Sequence, residues 1–274
     1  MKDRNFSWGT VHLLIRRYLA ENSRQIWMSI GVCFGLMFLM ALLFDGRTKD
    51  MGIGGIIWLF LFAIGGIAVQ VSASLTFSSM STKPKRIVAM MVPASKAEKF
   101  TSLILIYNIF GPIAIICSAL LADTLSSMIH FHAPYFFGVF KLIVDIFPNI
   151  DFSDFREHWG IIVEVGSLFV LGGVGMLLFN QAIYTLGSAF WPKKSFLKTF
   201  CVLYVIQMVF TIFFGFIIQP GMFKWFFELF ENGQSWHFYA WGILITGYLI
   251  VFAIYWYAWR RYKNTQLVQT FMMN

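Results

Sequence analysis

Six long apolar stretches restrict the fold of this chain more than any other feature of its sequence. Each is long enough for a helix that rises about 1.5 Å per residue to cross about 30 Å of lipid hydrocarbon. The sequence therefore predicts an all-α integral membrane protein with six transmembrane helices. The predicted spans cover about residues 25–44, 53–75, 103–122, 161–190, 199–219 and 238–258.

The composition agrees with this interpretation and argues against a soluble helical protein. Hydrophobic residues make up 58% of the 274 residues and charged residues 12%, whereas soluble domains carry about 25% charged residues. A soluble chain of this length needs more polar surface to cover its core.

The distribution of Lys and Arg predicts the orientation of the spans. Segments 1–24, 76–102, 191–198 and 259–274 carry 16 of the 21 Lys and Arg residues. The intervening loops carry the other five, together with nine acidic residues. Because cytoplasmic loops are enriched in Lys and Arg, both termini are predicted to be cytoplasmic. The net charge of +8 then reflects this bias and attraction to anionic membrane lipid, and we do not predict a nucleic-acid partner.

The N-terminal segment has the pattern of an amphipathic helix. Residues 1–24 are therefore predicted to form a helix that lies in the cytoplasmic interface, and residues 25–274 to form one six-span transmembrane domain. The apolar face of the helix consists of Trp8, Val11, Ile15 and Tyr18.

The sequence VPASKAEKF, residues 92–100, carries the signals of a helix start. Ser95 and Glu98 have the spacing of a capping box, in which each residue binds the other's backbone amide. Pro93 is typical of a break between helices, because it has no N–H and disfavours helical geometry in the residue before it. We expect a short helix over 83–91 and a new helix that begins near Lys96 and becomes the third span.

An ordinary, well-capped hairpin explains this geometry, but it does not explain the composition of the preceding residues. The sequence KPKRIVAMM places basic and flexible apolar side chains in a cytoplasmic loop, a combination typical of docking surfaces. Segment 83–100 is therefore a candidate surface for a soluble partner. Its candidate partner-binding residues are Lys83, Lys85, Arg86, Ile87, Met90, Met91, Ser95, Glu98, Lys99 and Phe100.

Motifs for chemistry are weak in this sequence. It contains no GxxxxGK[ST], HExxH or GxSxG pattern, so it gives no indication of nucleotide hydrolysis by the P-loop route or of these hydrolase mechanisms. His130 and His132 form an HxH pair, but no third ligand has a matching spacing. We predict no catalytic residues, no metal site and no cofactor.

Glu164 is the single acidic residue within an apolar stretch, and its depth has two interpretations. Counting about 20 residues back from Trp191 places it outside the hydrocarbon, whereas counting inward from Trp159 places it about one turn deep. The first count favours an interfacial carboxylate. The second leaves open a role in a substrate pathway, because carboxylates within membranes are often functional.

Two stretches of the chain resemble the permease subunits of bacterial type 2 ABC exporters. RIVAMMVPASKAEKF is similar to the loop between the second and third spans of that family, and YTLGSAFWPKKSFLKTF to the segment after its fourth span. Val92 replaces the usual Leu, and Trp191-Pro192 departs from the pattern. The matching residues are Pro93, Ala94, Ser95, Glu98, Lys99 and Phe100 in the first stretch, and Leu186, Gly187, Ser188, Lys193, Lys194, Phe196, Lys198 and Thr199 in the second.

The resemblance implies a permease of an ATP-driven exporter in the bacterial cytoplasmic membrane. Segment 83–100 then corresponds to a coupling helix that contacts a separate ATPase subunit, and a transporter contains two permease and two ATPase subunits. ATP hydrolysis is expected only in the partner. Two alternatives remain: a non-transporting membrane interaction protein, such as an immunity or sensor-associated subunit, and an intramembrane enzyme that uses Glu164 or the outer histidines.

Overall fold

A computed structural model describes residues 6–45, 51–129, 152–217 and 236–271, and all regular structure in them is helical. This confirms the predicted all-α class for the described part of the chain. A 3₁₀ turn, Ser78–Met80, precedes the fourth helix, and a π-helical segment, Leu105–Phe110, joins the fifth helix to the sixth. The helices are α1 Trp8–Glu21, α2 Ser23–Asp45, α3 Met51–Ser74, α4 Lys83–Met91, α5 Lys96–Ile104, α6 Gly111–Ile129, α7 Phe152–Phe190, α8 Ser195–Ile217 and α9 Trp236–Phe271.

Among the described residues, five helical stretches are long and apolar enough to cross a membrane. Their number and composition are those of a multi-pass membrane protein. The predicted span 53–75 coincides with α3, of which the described stretch Ala63–Ser74 is apolar, and the six-span arrangement stays a prediction. The five stretches are Ser23–Leu43, Lys96–Ile129, Gly166–Phe190, Ser195–Phe213 and Phe238–Asn264.

Several helices continue beyond the apolar stretches that predicted them. Helix α7 has 39 residues and α9 has 36, which correspond to about 58 and 54 Å. Helix α6 continues to Ile129 and α7 begins at Phe152, so helical structure extends into both ends of the predicted outer loop 123–160. Hydropathy marks only the apolar part of a helix, so it does not show where the helix continues into a polar environment.

The chain divides into two compact units. The first contains Met1–Thr76 and Met90–Trp159, and the second contains Phe77–Ala89 and Gly160–Asn274. The predicted division into 1–24 and 25–274 stays a prediction.

The core of the first unit lies between α2, α3 and α6. Met37 from α2, Leu61 from α3 and Ala122 from α6 are almost completely inaccessible. Burial of large apolar side chains at this crossing stabilises the three-helix arrangement through close packing. The surrounding partly buried residues are Cys33, Phe34, Phe38, Ile64, Ile115 and Ala119.

In the second unit, α7 and α9 run parallel to each other. Three contacts follow the same order along both helices: Glu164 contacts Trp241, Leu171 contacts Tyr248, and Phe190 contacts Tyr257. Two spans separated by one intervening span must run in the same direction if each crosses the membrane fully. The contacts therefore agree with the predicted order of spans in this half of the chain.

Helix α8 follows α7 after a four-residue connection and returns against its last turns. A Cβ atom on Gly187 would lie 2.0 Å from Thr199 Oγ1, far closer than van der Waals contact allows. Gly187 is therefore required for the close approach of these two helices.

The π-helical segment of the first unit leaves one carbonyl group without a helical donor. The Gly111 N–H donates to the carbonyl of Ile106, five residues earlier, so it is not available to the carbonyl of Tyr107. The residue five positions after Tyr107 is Pro112, which has no N–H. The next helix must supply the missing hydrogen bond, because lipid offers no donor.

Ser72 of α3 replaces this missing donor. Its hydroxyl donates to the Tyr107 carbonyl at 2.8 Å. The approach is so close that a Cβ atom on Gly111 would lie 2.2 Å from Ser72 Oγ. Gly111 and Pro112 therefore create the gap in the helix, and Ser72 fills it.

We expect Ser72→Ala to destabilise the protein by about 1–3 kcal/mol, because it leaves the Tyr107 carbonyl without a donor. In a Pro112→Ala background, the restored amide supplies the bond and the same substitution should cost much less. Thermal unfolding of the four proteins of this double-mutant cycle in detergent measures the difference.

Ser74→Ala is the matched control on the same helix, because the Ser74 hydroxyl bonds to the Val71 carbonyl of its own helix. It should have a smaller effect than Ser72→Ala. Equal losses from Ser72→Ala in both backgrounds would contradict the replacement of the proline amide by Ser72.

Candidate functional site

The start of α5 has the capping box that the sequence predicts. Ser95 is the N-cap, and its hydroxyl accepts from the Glu98 N–H at 3.2 Å. The Ser95 N–H donates in return to Glu98 Oε2 at 2.8 Å. The predicted helix start near Lys96 and the predicted short helix over 83–91 are both confirmed.

Glu98 also holds a second helix, which the sequence did not predict. Its other oxygen, Oε1, accepts from the backbone N–H of Ser7 at 2.9 Å, and Ser7 is the N-cap of α1. The Glu98 side chain is completely buried. Burial of a carboxylate is costly unless its oxygens are hydrogen-bonded, and here the positive ends of two helix dipoles and two amides compensate.

Helix α1 is fastened at its other end as well. The hydroxyl groups of Tyr18 and Tyr107 form a hydrogen bond, and their rings pack edge to face at 5.9 Å. Burial raises the pKa of the Tyr18 hydroxyl above its ordinary value, and the Tyr107 hydroxyl raises it further. The Tyr18 hydroxyl is therefore neutral at ordinary pH and can donate or accept in this contact.

The predicted apolar face of α1 is divided between protein contacts and exposed surface. Val11 is buried and Ile15 is half-buried, because α1 packs against α5. Trp8 is exposed, as are Leu13 and Leu19. Part of the face is therefore used for packing within the first unit, and the interfacial location of α1 stays a prediction.

Helix α4 has exposed apolar side chains. Ile87, Val88 and Met91 are 53%, 57% and 77% exposed. Lys85 is also exposed, whereas Arg86 donates from Nη2 to the Met80 carbonyl at 3.1 Å. Apolar groups with this exposure next to basic groups have the composition expected of a docking surface.

The candidate residues fall into two groups. The exposed side chains of α4 form a surface, while Ser95 and Glu98 form a buried anchor. Lys99 and Phe100 are half-buried on α5, so they offer less area to a partner than α4 does. The side chains of Lys83 and Met90 lie outside the described side chains.

Sequence reasoning missed Ser7. It lies 91 residues from Glu98, and no local pattern connects the two residues. The one signal in the sequence was indirect. A Glu that completes a capping box uses one carboxylate oxygen, so its second oxygen can accept a further hydrogen bond.

Glu164 lies close to the start of α9. It is half-buried and accepts at Oε1 from Trp241 Nε1–H at 3.1 Å. It comes two residues before the apolar stretch Gly166–Phe190. Tryptophan is typical of membrane interfaces, so this contact favours the interfacial interpretation, and a role in a substrate pathway stays a prediction.

A buried polar stripe follows α7 toward its C-terminal end. Gln181 is 0% exposed, and neither amide atom has a hydrogen-bond partner among the described residues. Thr185 and Ser188 are also buried and lie one and two turns further along the same face. A buried amide without partners costs about 1–3 kcal/mol. Gln181 is therefore an additional candidate for a functional side chain, and hydropathy did not single it out.

Metal binding gains no support from the described residues. Within residues 6–45, 51–129, 152–217 and 236–271, no three His, Cys, Asp or Glu side chains are placed to hold a metal ion. The histidine pair His130 and His132 lies outside these ranges.

Comparisons with protein-family models, with curated proteins and with solved structures find no match for this chain. The resemblance to exporter permeases therefore rests on the sequence motifs alone.

We expect Glu98→Gln to release α1. A carboxamide has one acceptor oxygen, so it can accept from only one of the two amides that the carboxylate binds, and its NH₂ group faces the other N–H. A lost charge-assisted hydrogen bond is worth about 1.5–3 kcal/mol, so deuterium exchange of the α1 amides should accelerate about tenfold or more.

Ser95→Ala is the matched control, because it removes the capping hydroxyl and leaves Glu98 Oε1 bonded to Ser7. It should cost about 1 kcal/mol at the start of α5 and leave exchange in α1 nearly unchanged. Equal acceleration of α1 in both variants would show that Glu98 does not hold α1 directly.

Proposed function

We propose that this chain is the permease subunit of an ATP-driven ABC exporter, powered by a separate ATPase subunit. Segment 83–100 is the coupling segment, and a second permease copy completes the transporter. The chain itself carries out no hydrolysis in this proposal. One observation supports the proposal most: the Glu98 carboxylate binds the start of α5 and the start of α1. The helix that precedes α5 in the sequence, α4, has exposed apolar side chains.

This anchor suits a segment that transmits force. The capping box fixes the first turn of α5, which continues through the π-helical segment into α6 without a break in helical structure. A displacement applied to α4 reaches α5 through the short turn at Pro93. The bond from Glu98 to Ser7 then moves α1 together with α5, because both helix starts share one carboxylate.

The proposal includes a membrane topology. Six spans place both termini and residues 83–99 in the cytoplasm, with α1 at the cytoplasmic interface of a bacterial inner membrane. The distribution of Lys and Arg supports this orientation.

A cysteine at position 85 should be accessible from the cytoplasm only. The test uses Lys85→Cys in a background that lacks Cys33, Cys117 and Cys201, with an impermeant maleimide applied to intact cells and to inverted vesicles. We expect labelling in inverted vesicles. Labelling from the outer side of intact cells would contradict the topology.

Removal of the exposed apolar side chains of α4 should abolish binding of the ATPase. The variant Ile87→Ser, Val88→Ser and Met91→Ser removes the proposed docking surface and leaves the apolar stretches unchanged. We expect normal insertion, and loss of both the co-purified ABC ATPase and the ATP hydrolysis of the purified complex. Ser95→Ala should keep the ATPase bound and lower transport-coupled hydrolysis, because it loosens only the start of α5.

Leu13→Ser with Leu19→Ser is the control for a general loss of exposed apolar surface, because both side chains are exposed on α1. It should retain the ATPase. Undiminished binding by the α4 variant would mean that the segment is a well-capped hairpin without a docking role. A wild-type protein that purifies without any ATPase would instead favour the non-transporting interaction protein.

A further inference from the structure

Three segments of the chain that contain basic residues adjoin each other at one end of the second unit. The Arg261 guanidinium carbon lies 4.9 Å from the centre of the Phe190 ring, so the end of α7 adjoins α9. Phe77 stacks on Tyr262 at 5.2 Å, so the segment before α4 adjoins the same part of α9. The basic residues of these segments are Lys85, Arg86, Lys193, Lys194, Lys198, Arg260, Arg261 and Lys263.

The segments that carry these residues contain no acids. Neither Asp nor Glu occurs in residues 77–89, 165–227 or 232–274 of the sequence. These segments therefore contribute basic residues and neither Asp nor Glu to this end of the unit. Such a surface attracts anions strongly.

The guanidinium groups of Arg260 and Arg261 each contact an aromatic ring. Helical side chains tilt toward the helix N-terminus, and the Arg260 guanidinium carbon lies 5.7 Å from the centre of the Trp256 ring, one turn earlier. Arg261 lies over Phe190, the last residue of α7. Cation–π contacts thus hold both groups beside aromatic rings, and Trp256 is of the residue type that marks the level of lipid headgroups.

Helices α8 and α9 of the same unit also have exposed apolar side chains. Leu197 and Phe200 are exposed on α8, and Trp256 and Tyr257 are exposed on α9. A molecule that places a phosphate beside the arginines can therefore place hydrocarbon against the neighbouring helices. Phospholipids combine these two parts in one molecule.

We propose that this end of the second unit binds an anionic phospholipid. Arg260 and Arg261 bind the phosphate together with the exposed Lys193 and Lys194 of the α7–α8 connection, and the acyl chains lie on the apolar surface of α8 and α9. The guanidinium groups lie at the level of the aromatic rings, which favours a lipid over an acidic soluble protein. The proposal requires that the helices lie in a membrane, and it does not depend on ATP-driven export.

Native mass spectrometry of the purified full-length chain tests the proposal with dioleoylphosphatidylglycerol and dioleoylphosphatidylcholine. We expect the wild type to prefer the anionic lipid. One cation near a membrane surface changes the affinity for anionic lipid about fivefold, so Arg260→Gln with Arg261→Gln should lower it on the order of 25-fold. Binding of phosphatidylcholine should change little.

The control is Arg16→Gln with Arg17→Gln, an adjacent arginine pair on α1 whose replacement changes the net charge equally. It should keep the affinity for phosphatidylglycerol within about twofold, because the proposed phosphate site consists of residues of the second unit and Arg16 and Arg17 belong to the first. Arg260→Lys with Arg261→Lys keeps the charge and should retain most of the affinity, which separates loss of charge from misfolding.

Three outcomes would overturn the proposal. Equal losses in the two glutamine variants would show an effect of bulk charge. Displacement of the lipid by millimolar glycerol 3-phosphate would assign the site to free phosphates. Unchanged lipid binding by Arg260→Gln with Arg261→Gln, together with loss of a co-purified soluble protein, would identify a protein docking surface.

Discussion

The buried carboxylate of Glu98 is the interaction on which the N-terminal half of the first unit depends. One oxygen completes the cap of α5 and the other accepts from the N-cap of α1. An ionised group without solvent is unfavourable by itself, so the two helix starts are needed to stabilise it and are held together by it. The coupling segment that we propose adjoins this point in the sequence, and the fixed start of α5 would let it transmit a displacement.

The connection from α5 to α6 depends on a second hydrogen bond from a neighbouring helix. Gly111 and Pro112 leave the Tyr107 carbonyl without a helical donor, and Ser72 supplies one from α3. Irregular backbone in an apolar environment is tolerated only where a neighbouring group satisfies it. The same segment directs Tyr107 to Tyr18, so the irregularity also contributes to the attachment of α1.

The second unit relies less on burial and more on contacts along helix faces. In the 18-residue apolar windows of α8 and α9 only 6% of the residues are buried, so most of their apolar surface is available to lipid or to another copy of the chain. Polar contacts position these helices where they occur: Trp241 with Glu164, and Tyr248 with the Leu171 carbonyl. The basic end of this unit is the place where we propose that an anionic lipid headgroup binds.

The sequence by itself determined the features that arise from contacts between near neighbours. Apolar length predicted helices that can span a membrane, and the spacing of Ser95 and Glu98 predicted the start of α5. The tertiary structure alone decided the pairings of Ser7 with Glu98 and of Ser72 with Tyr107, which are 91 and 35 residues apart. A sequence pattern indicates interactions between residues that are only a few positions apart. A bond between distant residues depends on helix packing, which brings a donor to an acceptor left unsatisfied elsewhere in the chain.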